Sequence, residues 1–344
     1  MSQVVSTSAL TVDAGELRAA LEGAFSRHFG APRQIAQLER RPSAYCTSFT
    51  IEELAVRLDD GTALRLMFKD LSWRSLPERA RRAKPAFLHN PLREIEVYRT
   101  ILSPRRLGTA TCYGAVVDHA RRRYWLFLEQ VPGIELYQVG ELATWQGVAR
   151  WLAAFHARFD GAETERSGLS AHLLHHDAEF YRRWLRRARA FSHTAEPRVA
   201  RGVAWLAERY ERVIDCLLAL PPTLIHGEFY ASNVLVQETG GGLRVCPVDW
   251  EMAALGPGLL DLAALTAGAW TEEEKTSLAL AYHAALPPDG GGRAPRGEFL
   301  AALDCCHIYL AIQWLGWSPD WSPPPEHAQD WLGVALRLAE KLGL

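Results

Sequence analysis

Residues 224–236, LIHGEFYASNVLV, and the following segment VCPVDWEMAALGPGLLDLAAL at 245–265 decide how this chain reads. Apolar Leu224 and Ile225 lead into a polar cluster from His226 to Asn233, after which Val234 to Val236 are apolar again. A glycine-rich turn at 240–242 and a second apolar run, Val245 to Val248, end on Asp249. Two short apolar runs around a glycine turn predict a hairpin, fed by a polar loop and finished by a carboxylate. Glu228 and Asn233 are five residues apart on that loop, far enough for one to face an acceptor and the other a cation. A carboxylate at 249 and an amide oxygen at 233 are hard donors suited to Mg²⁺.

Upstream, Leu17, Leu21 and Phe25 predict a helix from Glu16 to Phe29, ended by Gly30 and Pro32. Tyr45 to Phe49 and Leu54 to Leu58 read as strands, Asp59-Asp60-Gly61 as a turn, and Ala63 to Phe68 as the strand that delivers Lys69. A basic stretch precedes Pro91, and a helix then carries Glu94, Ile95, Tyr98 and Leu102. Strands are expected at Thr111 to Val117 and Tyr124 to Glu129 before Pro132-Gly133 breaks the chain. Beyond it, helical faces run through Trp145 to His156, Phe180 to Arg187 and Val203 to Leu217. His156, at the end of its apolar face, reads as a hydrogen-bonded structural histidine. The expected fold class is α+β, with a small mixed N-terminal lobe (1–131) built on an antiparallel sheet and a larger, mainly helical C-terminal lobe (132–344).

These segments resemble the aminoglycoside phosphotransferase and choline kinase superfamily, which shares its two-lobed fold with protein kinases. The family's catalytic loop is His-Gly-Asp, four residues, then Asn; His226, Gly227 and Asn233 match, while Glu228 replaces the Asp. Asp249-Trp250-Glu251 matches the family's metal-binding element, and Asp261 the later aspartate that supports the loop. The resemblance implies a catalytic role for Glu228, metal binding by Asn233 and Asp249, and structural support from His226 and Asp261. It further implies that Lys69 binds the phosphates of ATP or GTP and pairs with Glu94, with Glu96 as the competing partner. Glycine is missing between Gly30 and Gly61, where relatives place a phosphate-covering turn, so Ser43 is the candidate contact there, with Arg40 or Arg41 adding charge. The extra methylene of Glu228 displaces its carboxylate by roughly 1 to 1.5 Å relative to Asp. That departure leaves three accounts open: a shifted substrate, a slow enzyme, or a catalytically weak nucleotide-binding scaffold.

The 344 residues carry 38 Lys plus Arg against 40 Asp plus Glu, so no whole-molecule field attracts nucleic acid or an anionic membrane. Basic and aromatic residues are not interleaved as single-strand binding requires, and GxSxG is absent. No basic-then-apolar leader and no apolar run of about 18 residues is seen, which predicts a cytoplasmic protein. Six scattered cysteines without CxxC spacing read as reduced thiols. The favoured acceptor is a small hydroxylated molecule such as an antibiotic or secondary metabolite, contacted by Tyr230, Trp250 and Glu251 and by an aromatic wall drawn from Trp270, Trp314, Trp317 and Trp321. A peptide Ser/Thr kinase of natural-product biosynthesis is the alternative, with arginines at 74–93 and at 182, 183, 186, 187 and 189 holding an acidic peptide. The oligomeric state is not legible.

Overall fold

A computed structural model describes residues 12–43, 48–105, 107–159, 169–193, 195–287, 294–319 and 328–344. The chain divides into two compact units, Met1–Pro132 and Gly133–Leu344.

In the N-terminal unit, α1 (Ala14–Phe29) opens with the Asp13 side chain accepting from the Glu16 amide and closes on Gly30 in the left-handed region. Its apolar stripe, Leu17, Leu21 and Phe25, is fully buried and meets the sheet residues Leu54, Val56, Leu66, Phe68, Trp125 and Phe127. The sheet contains β1 (Ile35–Pro42), β2 (Ile51–Leu58), β3 (Ala63–Asp70), β4 (Cys112–Asp118) and β5 (Arg123–Glu129), in the order β1-β2-β3-β5-β4 with every pair antiparallel. Strict alternation along β2 places Leu54, Val56 and Leu58 on the core face. β1 is a strand the sequence reading missed: as an edge strand it is largely exposed, so AQLERR lacks the apolar alternation that betrays a strand. The strand expected at 45–49 lies mostly outside the described residues. Short helices α2 (Glu78–Ala83) and α3 (Arg93–Val97) follow β3; α3 runs through a π turn (Tyr98–Leu102) into α4 (Ser103–Arg105).

The C-terminal unit begins with β6 (Ile134–Glu135) and α5 (Leu142–Arg158). After β7 (Leu174–His175) come α6 (Ala178–Ser192), α7 (Pro197–Ala207) and α8 (Tyr210–Leu218). The single helix expected from Val203 to Leu217 is therefore two. The Arg209 guanidinium stacks 4.1 Å from the Trp205 ring and donates to the Trp205 carbonyl at 2.9 Å, satisfying a terminal carbonyl of α7 and stopping it there. β8 (Pro222–Ile225), β9 (Val234–Thr239), β10 (Gly242–Pro247) and β11 (Ala254–Pro257) form two small sheets, ordered β10-β9-β6 and β7-β11-β8. Helices α9 (Leu259–Leu265), α10 (Glu272–Ala285), α11 (Arg296–Leu315) and α12 (Trp331–Lys341) complete the unit. Cys305 and Cys306 are buried on α11, and none of the five described cysteines is in a disulfide. Among the described residues no helix is long and apolar enough to cross a membrane.

His307, also on α11, is buried with Nδ1 against the Leu303 carbonyl and Nε2 against the Thr266 hydroxyl. Burial pushes its pKa down to about 4, because the charged ring would be stranded in the core. The unfolded chain then binds the extra proton between about pH 6.5 and 4, so stability is complete above that window and falls as pH drops through it. The loss should approach about 3 kcal/mol. Denaturant melts of the wild type and His307→Gln at pH 7 and 4.5 check this: the wild type should lose more stability than the variant.

Candidate functional site

In the N-terminal unit, β3 carries Lys69 between Ile51 of β2 and Leu126 of β5. Its ammonium donates to both oxygens of Glu94 in the first turn of α3, at 2.8 and 2.7 Å, with side-chain exposures of 6% and 1%. Glu96, the competing partner, instead pairs with Arg99 at 3.0 Å on the same helix. A dry pair of this kind yields little net stability but holds the lysine in one position.

Ser43 follows β1 and is 4% exposed; its amide donates to the Ile51 carbonyl and its hydroxyl to Glu53 at 3.2 Å. Arg40 makes a bidentate pair with buried Glu52, at 2.8 and 2.9 Å, so its charge is spent inside the unit. Exposed Arg41 lies 3.8 Å from Glu39. Glycine is not required where these strands pair, since β1 and β2 continue their register to Pro42 and Glu52.

In the C-terminal unit the loop from His226 to Asn233 leaves β8 and enters β9. Gly227 sits at φ +85°, and a Cβ there would come within 2.2 Å of the Met252 carbonyl oxygen, so the loop can pass the Asp249–Met252 turn only with glycine at this position. Asp261, at the start of α9 and 1% exposed, braces the loop: Oδ2 accepts from the His226 amide at 2.7 Å and Oδ1 from the Gly227 amide at 2.9 Å. His156 of α5 reaches the same Oδ2 at 3.2 Å through Nε2, while its Nδ1 meets the Tyr282 hydroxyl at 2.9 Å. His226 is fully buried, with Nε2 2.9 Å from the Val248 carbonyl and Nδ1 3.3 Å from the Glu228 amide. Both of its ring nitrogens therefore tie backbone to backbone.

The hairpin brings Asn233 to Val248, the residue before Asp249. β9 and β10 pair Val234 with Pro247, and the Val248 amide donates to the Asn233 carbonyl at 2.9 Å, so the chain delivers Asp249 one residue beyond Asn233's partner. The Asn233 amide nitrogen donates to the Glu228 carbonyl at 3.0 Å. That bond fixes the orientation of the amide and leaves Oδ1 as the acceptor. Asp249 holds φ +67°, ψ +62°, the left-handed region that costs a non-glycine residue about 1 kcal/mol or more. Glu228, Asn233 and Asp249 are half-buried, whereas His226 and Asp261 behind them are sealed. Among the described residues no group of three or more His, Cys, Asp or Glu is arranged around a metal position. The donor set fits Mg²⁺ held by one carboxylate and one amide oxygen, with phosphate and water completing the shell.

A cavity of about 290 Å³ adjoins this loop within the C-terminal unit, lined by Tyr137, Trp145, Tyr230, Ser232, Trp270 and several Gly and Ala residues. Burial, and next the Glu228 charge, raise the Tyr230 phenol well above its ordinary pKa. Of the four tryptophans expected to form an aromatic wall, Trp270 lines the cavity. Trp314 stacks on Trp331 at 5.1 Å and Trp317 on Trp184 at 5.7 Å, both as packing pairs, and Trp321 lies outside the described residues. Trp250 is fully buried against His226, and Glu251 is buried beside it. Tyr137, Trp145 and Tyr282 were not singled out for the site by sequence; their roles come from contacts made more than 80 residues away along the chain.

The arginines proposed to hold a peptide are largely committed. Arg182 pairs with Glu211, Arg186 with Glu179, and Arg187 donates to the carbonyls of Gly316 and Trp317. Upstream, Arg74 donates to the Arg121 carbonyl, Arg81 to that of Leu76 and buried Arg93 to that of Leu88.

The model of the phosphotransferase enzyme family (APH) matches residues 57–299. Comparison with curated proteins found no match. Among solved structures, an ethanolamine kinase from Plasmodium vivax is similar at 11% identity and TM-score 0.53, covering 89% of this chain and 82% of that one. The choline kinase LicA from Streptococcus pneumoniae is similar at 14% identity and TM-score 0.53, covering 95% of this chain and 99% of its own. The GDP and kanamycin complex of APH(2″)-IIIa has 13% identity and TM-score 0.52 over 93% of this chain and 97% of that one. At these identities the likeness establishes the α+β, protein-kinase-like fold.

Proposed function

From the premise that the chain belongs to the phosphotransferase enzyme family, we propose that it transfers the γ-phosphoryl group of ATP or GTP to a hydroxyl of a small molecule in a Mg²⁺-dependent reaction. The observation that supports this reading is the hairpin register that carries Asn233 to Val248, the residue before Asp249, while the Asn233 amide is tied to the Glu228 backbone. Bound there, Mg²⁺ would supply charge neutralisation for the β- and γ-phosphates. Lys69, held straight by Glu94, contributes the positive charge that meets the nucleotide phosphates. Glu228 accepts a hydrogen bond from the acceptor hydroxyl and orients its oxygen toward the γ-phosphorus. The new O–P bond forms as the bond from phosphorus to the β-phosphate oxygen breaks, the nucleoside diphosphate leaves, and the hydroxyl proton passes to the Glu228 carboxylate. Alignment and charge compensation account for the rate, without a phosphoenzyme.

The long side chain at 228 shifts the acceptor oxygen outward by roughly the length of one methylene, so the acceptor sits farther from the loop backbone than it would from an Asp. The committed arginines favour a small acceptor over an acidic peptide. A screen of metabolites and peptides with ATP and GTP, with and without Mg²⁺, detecting phosphorylated product by mass, tests the reading. Nucleotide-dependent thermal stabilisation with no product from any acceptor would instead favour a scaffold. Glu228→Gln should lower kcat by about 10²- to 10⁴-fold with nucleotide affinity unchanged, measured by steady-state kinetics and calorimetry.

A further inference from the structure

Resting on that reading, we propose that the acceptor is an uncharged, ring-bearing hydroxylated molecule, one ring of which lies on the Trp145–Trp270 wall of the cavity beside the loop. Trp145 comes from α5 and Trp270 from the segment entering α10, and their rings meet edge to face with centroids 4.7 Å apart and planes at 81°. The Trp145 indole N–H is spent on the Val139 carbonyl at 2.8 Å, so this part of the wall offers apolar surface and no donor. Alanine and glycine at 264 and 267–269 leave the volume in front of it open.

Charge complementarity points to the class. None of the described residues lining the cavity is Asp, Glu, Lys or Arg; its neutral polar groups are the hydroxyls of Ser232, Tyr137 and Tyr230, the indole N–H groups of Trp145 and Trp270, and the backbone. An amino sugar ring seated against the two tryptophans would lose the hydration of its ammonium groups with no carboxylate in the lining to replace it; Glu228 lies beyond the lining on the loop, where the hydroxyl-bearing end is placed. A quaternary ammonium ion gains most when several ring faces surround it, but edge-to-face packing covers a face of one indole with the edge of the other. Tyr137, a lining residue that is 46% exposed, carries apolar surface from the cavity toward solvent. At about 290 Å³ the cavity is at the small end of ligand pockets, so it seats one ring while the hydroxyl-bearing remainder reaches toward Glu228. Ser232, four residues beyond Glu228 on the same loop, gives that remainder a neutral hydrogen-bond partner.

The test pairs calorimetric binding with product mass, using phenyl β-D-glucopyranoside and thymidine as neutral probes and kanamycin and choline as cationic ones, on the full chain with Mg²⁺ and ATP or GTP. A neutral probe should bind and be phosphorylated, with Trp270→Ala weakening its affinity by about 10-fold or more. Ala269→Asp, a change at an exposed position, should weaken the neutral probe and strengthen choline, each by at least several-fold. Tighter binding and preferred phosphorylation of kanamycin or choline by the wild type would overturn the neutral-acceptor assignment while upholding phosphoryl transfer. Neutral-probe binding that Trp270→Ala abolishes, with no product from any probe or screened metabolite, would uphold the cavity's preference and overturn the transfer reading instead. Affinity for neutral probes unchanged in both variants would remove the cavity from consideration.

Discussion

Asp249→Asn is expected to lower Mg²⁺-dependent turnover by about 10³-fold or more while leaving the fold intact. Asn has nearly the same shape and tolerates the left-handed region as well as Asp does, so the change removes charge and little else. The remaining carbonyl oxygen is a weak substitute in a site with a single carboxylate, and loss of metal-assisted charge neutralisation amounts to several kcal/mol at the transition state. Asp249→Gly separates strain from chemistry. Glycine adopts φ +67° without steric cost, so that variant should be equally inactive yet melt within a few degrees of the wild type or above it. Turnover by product mass, together with thermal melts of both variants, decides the matter. Near-normal activity in either would remove Asp249 from the metal site, and a collapse of melting temperature in both would assign it to structure.

The second large effect is expected at Asp261, and its primary readout is stability. Its two oxygens accept from two backbone amides and from His156; the bonds from His226 and His156 are buried and that from Gly227 is part-buried. Asp261→Ala strands these donors at about 1–3 kcal/mol each, so a loss of about 4 kcal/mol or more is expected. Asp261→Asn should fare little better, because its amide turns an N–H toward another N–H. On the order of 10 °C should be lost from the melting temperature of the C-terminal unit. Activity should fall further than the folded fraction does, since a loop displaced by about 1 Å misaligns the reacting groups. A variant that melts normally but is inactive would show that Asp261 acts on the reaction and not on the loop.

Different parts of this structure were open to sequence reasoning to different degrees. Helix α1, the strands around Asp59-Asp60-Gly61 and the hairpin leading to Asp249 were readable because periodicity and turn residues are local signals. The edge strand β1 was not, since nearly all of its residues are exposed and it lacks the alternation that one buried face would impose. The split between α7 and α8 was hidden as well, because a guanidinium folding back onto Trp205 leaves the apolar spacing almost continuous across the stop. Glu94 could be preferred to Glu96 only through the family pattern; the geometry then shows one buried on Lys69 and the other turned to Arg99.

Local order along the chain was enough to reveal the family, because the loop from His226 to Asn233, Asp249 and Asp261 lie within a few dozen positions of one another and their spacing is the signal. The bracing of Asp261 by His156, itself held by Tyr282, the contacts of Arg182 and Arg187, and the uncharged cavity beside Trp145 and Trp270 arise from pairings across 29 to 130 residues. Such pairings depend on which helix faces meet when the apolar surfaces are buried, and no one-dimensional pattern records that choice.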